Sequence, residues 1–156
     1  MVSYEFWKAY GLHYIRTSEP FSLSQILESI TQLARFDPEL SKPVLMDLRE
    51  TNLLRLDSSD IRSHSMTLAS EGASFRNNFA AYLVGHSGTY GMVRMFNIWG
   101  DLHGRRHEDR TLVTMDLSET ADWLVDKLDL ETAEVAGFRA ALDELGGPQQ
   151  MTCAVS

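Results

Sequence analysis

Cys153 is the only cysteine in this chain, so no internal disulfide can staple the fold. Long apolar runs are missing as well: none approaches the roughly 20 residues that a membrane-spanning helix needs. The start, Met1-Val2-Ser3-Tyr4-Glu5-Phe6-Trp7-Lys8, lacks the basic-then-apolar order of a signal peptide. These absences make the cytoplasm the expected location. Positive charge is also scarce. A net charge of −8 argues against nucleic acid as the main partner, because phosphate binding needs a basic face. The one basic cluster, Arg105-Arg106-His107 with Arg110 nearby, is diluted by Glu108 and Asp109 and reads as a solvated helix end. There is no internal repeat and no low-complexity segment.

What remains is an ordinary globular composition, 44% apolar over 156 residues, enough for one domain with a real core. That domain is expected over 1–147, with residues 131–147 as an added C-terminal helix and 148–156 as a disordered tail. Tyr4 to Tyr10 and Leu12 to Thr17 are aromatic-rich runs around Gly11 and read as a hairpin. Ser22 to Arg35 carries Leu23, Ile26, Leu27, Ile30, Leu33 and Ala34 on one helical stripe, and Ser22 with Gln25 has capping-box spacing. Asp37-Pro38 stops that helix.

Val44 to Leu48 is the next strand, and Arg49-Glu50 is expected to lead the chain out of the core. Ser59 to Phe75 reads as a helix with a thin apolar face, and Phe79 to Val84 as a central strand apolar on both sides. Helix Thr89 to His103, strand Thr111 to Met115, a helix capped by Asp116 with Glu119, and a last helix Leu130 to Leu145 complete the order. Strands alternate with helices after the hairpin. The fold class is therefore α/β: a single mixed, mostly parallel sheet packed with helices, with an antiparallel edge.

The Asp57-Ser58-Ser59 corner opens a helix. Its plain role is a cap, with Asp57 or Ser58 accepting from free N–H groups. A helix start also favours anions, so Ser58 and Ser59 are candidate phospho-acceptors. Gly85-His86-Ser87-Gly88 has the strand-to-helix setting of a nucleophile elbow, but position 89 is Thr89 where that motif needs glycine. His103 and His107 have the spacing of metal ligands on a helix, without a second pair to complete a site. Arg94 is flanked by Val93 and Met95 on a helix expected to be half buried, where an arginine wants a carboxylate or anion. A salt bridge to Asp47 or Glu50 is the expected partner; an anion or lipid head group is the alternative. Met92 and Met95 fit core packing or an adaptable pocket.

The Leu45-Met46-Asp47-Leu48-Arg49 strand, the Tyr90-Gly91-Met92-Val93-Arg94-Met95-Phe96 helix and the Ala121-Asp122-Trp123-Leu124 ending share a pattern. Over roughly Tyr4 to Leu128 the chain resembles the SpoIIAA-like group of small bacterial proteins. These are related to STAS domains (sulfate transporter and anti-sigma factor antagonist) and to lipid-binding CRAL-TRIO folds. The resemblance implies a mixed α/β sheet, no cofactor, no enzymatic activity, and binding to a protein partner. It also implies that phosphorylation of a serine at a helix start switches binding off, at Ser58 with Asp57 and Ser59 beside it. Where the switch proteins have glycine after the two serines, this chain has Asp60, which adds negative charge.

Two functional expectations follow. One is a regulatory interaction module whose partner or anion contacts are Asp47, Arg49, Asp57 and Arg94. The other is a small-molecule or lipid-binding module with a pocket between sheet and helices, lined by Phe75, Tyr90, Met92 and Trp99. A homodimer through the apolar Tyr4, Phe6 and Trp7 edge is a further expectation, with the long C-terminal helix covering that edge as the alternative. No constellation of nucleophile, base and oxyanion donors assembles from the sequence.

Overall fold

A computed structural model describes residues 1–57, 59–63, 78–102 and 108–146, of which 99–102, 108 and 146 are described by backbone alone. Five strands, β1 (Val2–Trp7), β2 (Leu12–Ser18), β3 (Val44–Glu50), β4 (Ala80–Val84) and β5 (Thr111–Thr114), form one sheet in the order β1-β2-β3-β4-β5. β1 pairs antiparallel with β2, and every later pairing is parallel. The expected α/β class and its antiparallel edge are what the chain adopts.

Strand order follows chain order, so each parallel step moves the same way across the sheet. Crossovers of one hand then place their helices on one face. Helices α1 (Leu23–Phe36) and α2 (Ser87–Leu102) occupy that face, with Leu33, Leu40 and Val93 packed on Ile15, Val44, Leu48, Ala80, Tyr82 and Val84. The chain then returns to the other face. There α3 (Leu117–Lys127) and α4 (Thr132–Gly146) bury Leu124, Phe138 and Leu142 against Leu12, Tyr14, Leu45, Ala81 and Leu83. Covered on both faces, β4 is buried at every residue, as its unbroken apolar run requires.

Several boundaries differ from expectation for local reasons. β1 covers Val2–Trp7, not Tyr4 to Tyr10, because Tyr10 and Gly11 both donate their N–H groups to the Trp7 carbonyl and close a turn. Gly11 sits at φ 67°, a left-handed conformation that costs glycine little. β3 runs two residues further than expected, because Glu50 still pairs with Ser18 and with the Arg16 guanidinium. The α1 capping box is present in both directions. The one expected at α3 is only half made. Asp116 accepts from Ser118 and Glu119, but the Glu119 carboxylate takes the Thr114 hydroxyl, which itself accepts from the Asp116 N–H. α2 begins at Ser87, two residues early. Residues 59–63 are helical, and the remainder of the helix expected to Phe75 lies outside the described residues, as does the 148–156 tail.

Candidate functional site

The carboxyl ends of the parallel strands gather the polar groups, as α/β sheets do. Asp47 on β3 points to the α3/α4 face with its side chain 4% exposed. Its Oδ1 accepts from the Arg49 Nε at 2.9 Å and Oδ2 from Nη2 at 2.7 Å, a bidentate pair. The Tyr14 hydroxyl on β2 donates to Oδ2 at 3.0 Å, and the Arg49 backbone N–H to Oδ1 at 3.2 Å. Burial alone would raise the Asp47 carboxyl, but the Arg49 hydrogen bonds and charge, with the Tyr14 bond, hold it below the usual carboxylate range. Burial and then the Asp47 charge push the Tyr14 hydroxyl far above its ordinary value. Arg49 Nη2 also donates to the Leu145 carbonyl at 2.9 Å, fastening the last turn of α4 to the sheet.

Beside this pair runs a ladder of buried threonines. The Thr89 hydroxyl at the start of α2 donates to the Thr51 carbonyl, and the Thr51 hydroxyl donates to the Thr17 carbonyl. All three residues are fully buried, so each satisfied carbonyl replaces a hydrogen bond to water. Gly85 lets this corner close: a Cβ there would stand 2.3 Å from the Arg49 carbonyl oxygen.

The loop beyond β3 is organised by caps. Asn52 accepts from Leu54 N–H to start a short 3-10 turn, Leu53–Arg55. Asp57 then accepts from Ser59 N–H at 2.9 Å and starts the helical segment, and these hydrogen bonds keep the Asp57 carboxyl below its ordinary value. Asp57, Ser59 and Asp60 are all exposed; Ser58 lies outside the described residues. The turn packs on α2, where the Leu54 side chain lies over Gly88. Gly88, Gly91, Met95 and Ile98 continue from it along one outward stripe of α2. Leu54 is 61% exposed, Met95 38% and Ile98 40%.

The candidate residues therefore separate. Asp47 and Arg49 are joined to each other and turned inward. The expected Arg94 bridge to Asp47 or Glu50 is not formed: Asp47 holds Arg49, Glu50 holds Arg16, and Arg94 lies exposed with its guanidinium 3.5 Å from the Tyr90 hydroxyl. The α2 stripe facing the sheet is Tyr90, Val93 and Asn97, which leaves Arg94 on the flank. Tyr90 and Met92 are half buried. Phe75 lies outside the described residues, and Trp99 is described by backbone alone. His103 and His107 also lie outside them.

One cluster was not anticipated from sequence. His13 on β2 is fully buried between the Tyr4 hydroxyl, 3.0 Å from Nδ1, and Asp37 Oδ2, 3.1 Å from Nε2. A carboxylate only accepts, so Nε2 carries a proton, and in the neutral imidazole Nδ1 accepts from the Tyr4 hydroxyl. Phe6 and Phe36 flank the ring. Asp37 also accepts from the Ser41 hydroxyl and Lys42 N–H, and these bonds with His13 outweigh burial and lower its carboxyl. Its sequence signal was weak, a histidine alternating within a strand, because its partners come from β1 and from the end of α1.

No family model, curated protein or solved structure matches this chain. No helix among the described residues is long and apolar enough to cross a membrane.

Proposed function

We propose that this chain is a non-enzymatic regulatory interaction module, of the kind the SpoIIAA-like and STAS proteins represent. It binds a protein partner through Leu54, the helix start at Asp57 and the outward stripe of α2. The observation that carries this reading is the exposure of Leu54, Met95 and Ile98, with Leu54 seated over Gly88 on the same outward stripe of α2. Isolated exposed apolar residues are ordinary, but a group of them beside charge supports an interaction surface. Arg55, Asp57 and Asp60 near Leu54, and Arg94 on α2, are exposed on the same two segments. A phosphoryl group on Ser58 or Ser59 would join Asp57 and Asp60 and oppose an acidic partner surface by like-charge repulsion.

The test is a photo-crosslinking residue at Leu54 in the source cell, with Ala136 on the far face as control. One discrete crosslinked protein is expected from Leu54 alone, with a lower yield when Ser58→Asp is added. Equal labelling from both positions, or a yield indifferent to Ser58→Asp, would refute the reading. A second reading, a small-molecule or lipid site beneath α2, is favoured by Asn97. It is 2% exposed on the sheet-facing stripe, and both of its amide atoms are without a hydrogen-bond partner among the described residues. A non-covalent adduct in native mass spectra of the purified protein would support it.

A further inference from the structure

A different surface lies at the opposite side of the sheet. β1 is an edge strand of six residues with a continuous register, no proline and no bulge. Proteins usually blunt such edges with lysines, prolines, bulges or short length. The other edge, β5, has four residues and is short in that sense. β1 carries no lysine, proline or bulge, and a single charge, Glu5.

The direction of its free groups follows from the β1–β2 ladder. Met1 and Ser18 exchange both backbone hydrogen bonds, so Met1, Ser3, Glu5 and Trp7 face β2. The N–H and C=O groups of Val2, Tyr4 and Phe6 then face the open edge. Three donors and three acceptors at alternate residues, centred on Tyr4, match themselves when rotated by a two-fold axis. We propose that two copies of this chain pair antiparallel through β1, with the axis at Tyr4, joining their five-stranded sheets into one.

The register is selected by bonding and charge. Centred on Tyr4, Val2 bonds Phe6 of the second copy, Tyr4 bonds Tyr4, and every outward group finds a partner. The Phe6 carbonyl, which accepts from Lys8 N–H within the chain, has a second lone pair for this. Ser3 then stands opposite the second copy's Glu5. Moving the axis to Glu5 would set two carboxylates face to face, which destabilises a strand pair. Moving it to Ser3 would leave Phe6 unbonded. On the α1 side, Phe36 is 60% exposed and packs at a tilt against Phe6, ring centroids 4.7 Å apart, which places an exposed apolar side chain beside this edge. The edge is far from α2, which packs over β4 and β5, so the dimer presents two copies of the Leu54 surface.

Sedimentation equilibrium of the full chain in the micromolar range is expected to give twice 17.6 kDa. Ser3→Glu puts like charges opposite Glu5 at an exposed position, and should raise the dissociation constant by about tenfold or more. Val2→Pro removes an outward N–H at a strand start and spares the β1–β2 bonds, and should act in the same direction. Circular dichroism and thermal unfolding confirm that each variant stays folded. In a Cys153→Ser background, Ser3→Cys with Glu5→Cys should oxidise to a covalent dimer, since such pairs lie about 4.5 Å apart at Cα. Ser3→Cys alone should not. A monomeric chain overturns the proposal, as does a dimer insensitive to Ser3→Glu, or a disulfide formed equally by Ser3→Cys alone.

Discussion

Arg49→Met tests how the C-terminal helices are held to the sheet. The variant keeps the aliphatic length of the side chain but removes the Nε and Nη2 donors that Asp47 accepts at 2.9 and 2.7 Å. Asp47, with its side chain 4% exposed, is then left with the Tyr14 hydroxyl and one backbone N–H. Removing one partner of a buried pair costs about 3–5 kcal/mol, because the other charge stays desolvated. The lost bond to the Leu145 carbonyl adds about 1 kcal/mol. Against a total stability of roughly 5–15 kcal/mol, that is a large fraction. Asp47→Leu with Arg49→Met removes both charges, and should recover most of the loss except the Tyr14 hydroxyl, about 1–3 kcal/mol left unpaired.

The pH dependence supplies an independent check. In the native chain the folded Asp47 carboxyl lies below its unfolded value, so its contribution is present above about pH 4 and is lost on acidification through the folded value. In Arg49→Met, burial is offset only by the Tyr14 hydroxyl and one backbone N–H, and the folded carboxyl rises relative to the native chain. The deficit of the variant should therefore grow as pH rises from the acid side to neutrality. Urea unfolding followed by circular dichroism at a series of pH values measures both effects. A loss below about 1 kcal/mol, or a double variant as unstable as the sum of its parts, would refute the clamp.

Gly85→Ala should destabilise by about 1–3 kcal/mol, because its Cβ meets the fixed Arg49 carbonyl oxygen at 2.3 Å. Gly88→Ala should cost far less in the same urea titration, since the atom met at 2.4 Å is the end of the exposed Leu54 side chain, which can rotate away. Asp37→Asn should flatten the acid limb of the stability curve. The lowered Asp37 carboxyl contributes above about pH 4 and loses that contribution below, and the variant loses the slope of up to about 1.4 kcal/mol per pH unit there. Unchanged slopes in paired pH titrations would show that the His13 cluster does not carry this linkage.

Element types were legible because local signals agreed with one another. The stripe of Ile26, Ile30 and Leu33, with the Ser22–Gln25 box, specifies α1 without reference to any neighbour. The apolar run Ala80 to Val84 needs both faces covered, and therefore implied a sheet interior. Boundaries were less legible because they turn on single bonds. Trp7 accepting two N–H groups ends β1, and the Arg16–Glu50 pair carries β3 beyond its apolar run. The Asp116–Glu119 spacing suggested a reciprocal cap, but Thr114, placed by the end of β5, competes for the same carboxylate.

The polar pairings were the least legible part. Arg94 sits among apolar neighbours in sequence, yet the helical rotation that points Val93 at the sheet leaves Arg94 in solvent. Asp47 finds its cation two residues away and not across the sheet, because the β3 pleat and the Arg49 stem bring the two groups to the same face. His13 finds Asp37 and Tyr4 from opposite directions in the chain. The exposed line from Leu54 to Ile98 joins a loop to a helix 36 residues later at Leu53 and Thr89.

By itself the sequence determined what local chemistry can decide: helix or strand, the reciprocal cap of α1, the turn at Gly11, the mostly parallel α/β class and the excess of negative charge. Those follow from periodicity and from groups a few residues apart. Only the tertiary structure decided which charges meet, which face the last two helices cover, and which apolar side chains stay in water. Each depends on distances between segments far apart in the chain, and no short window of sequence contains them.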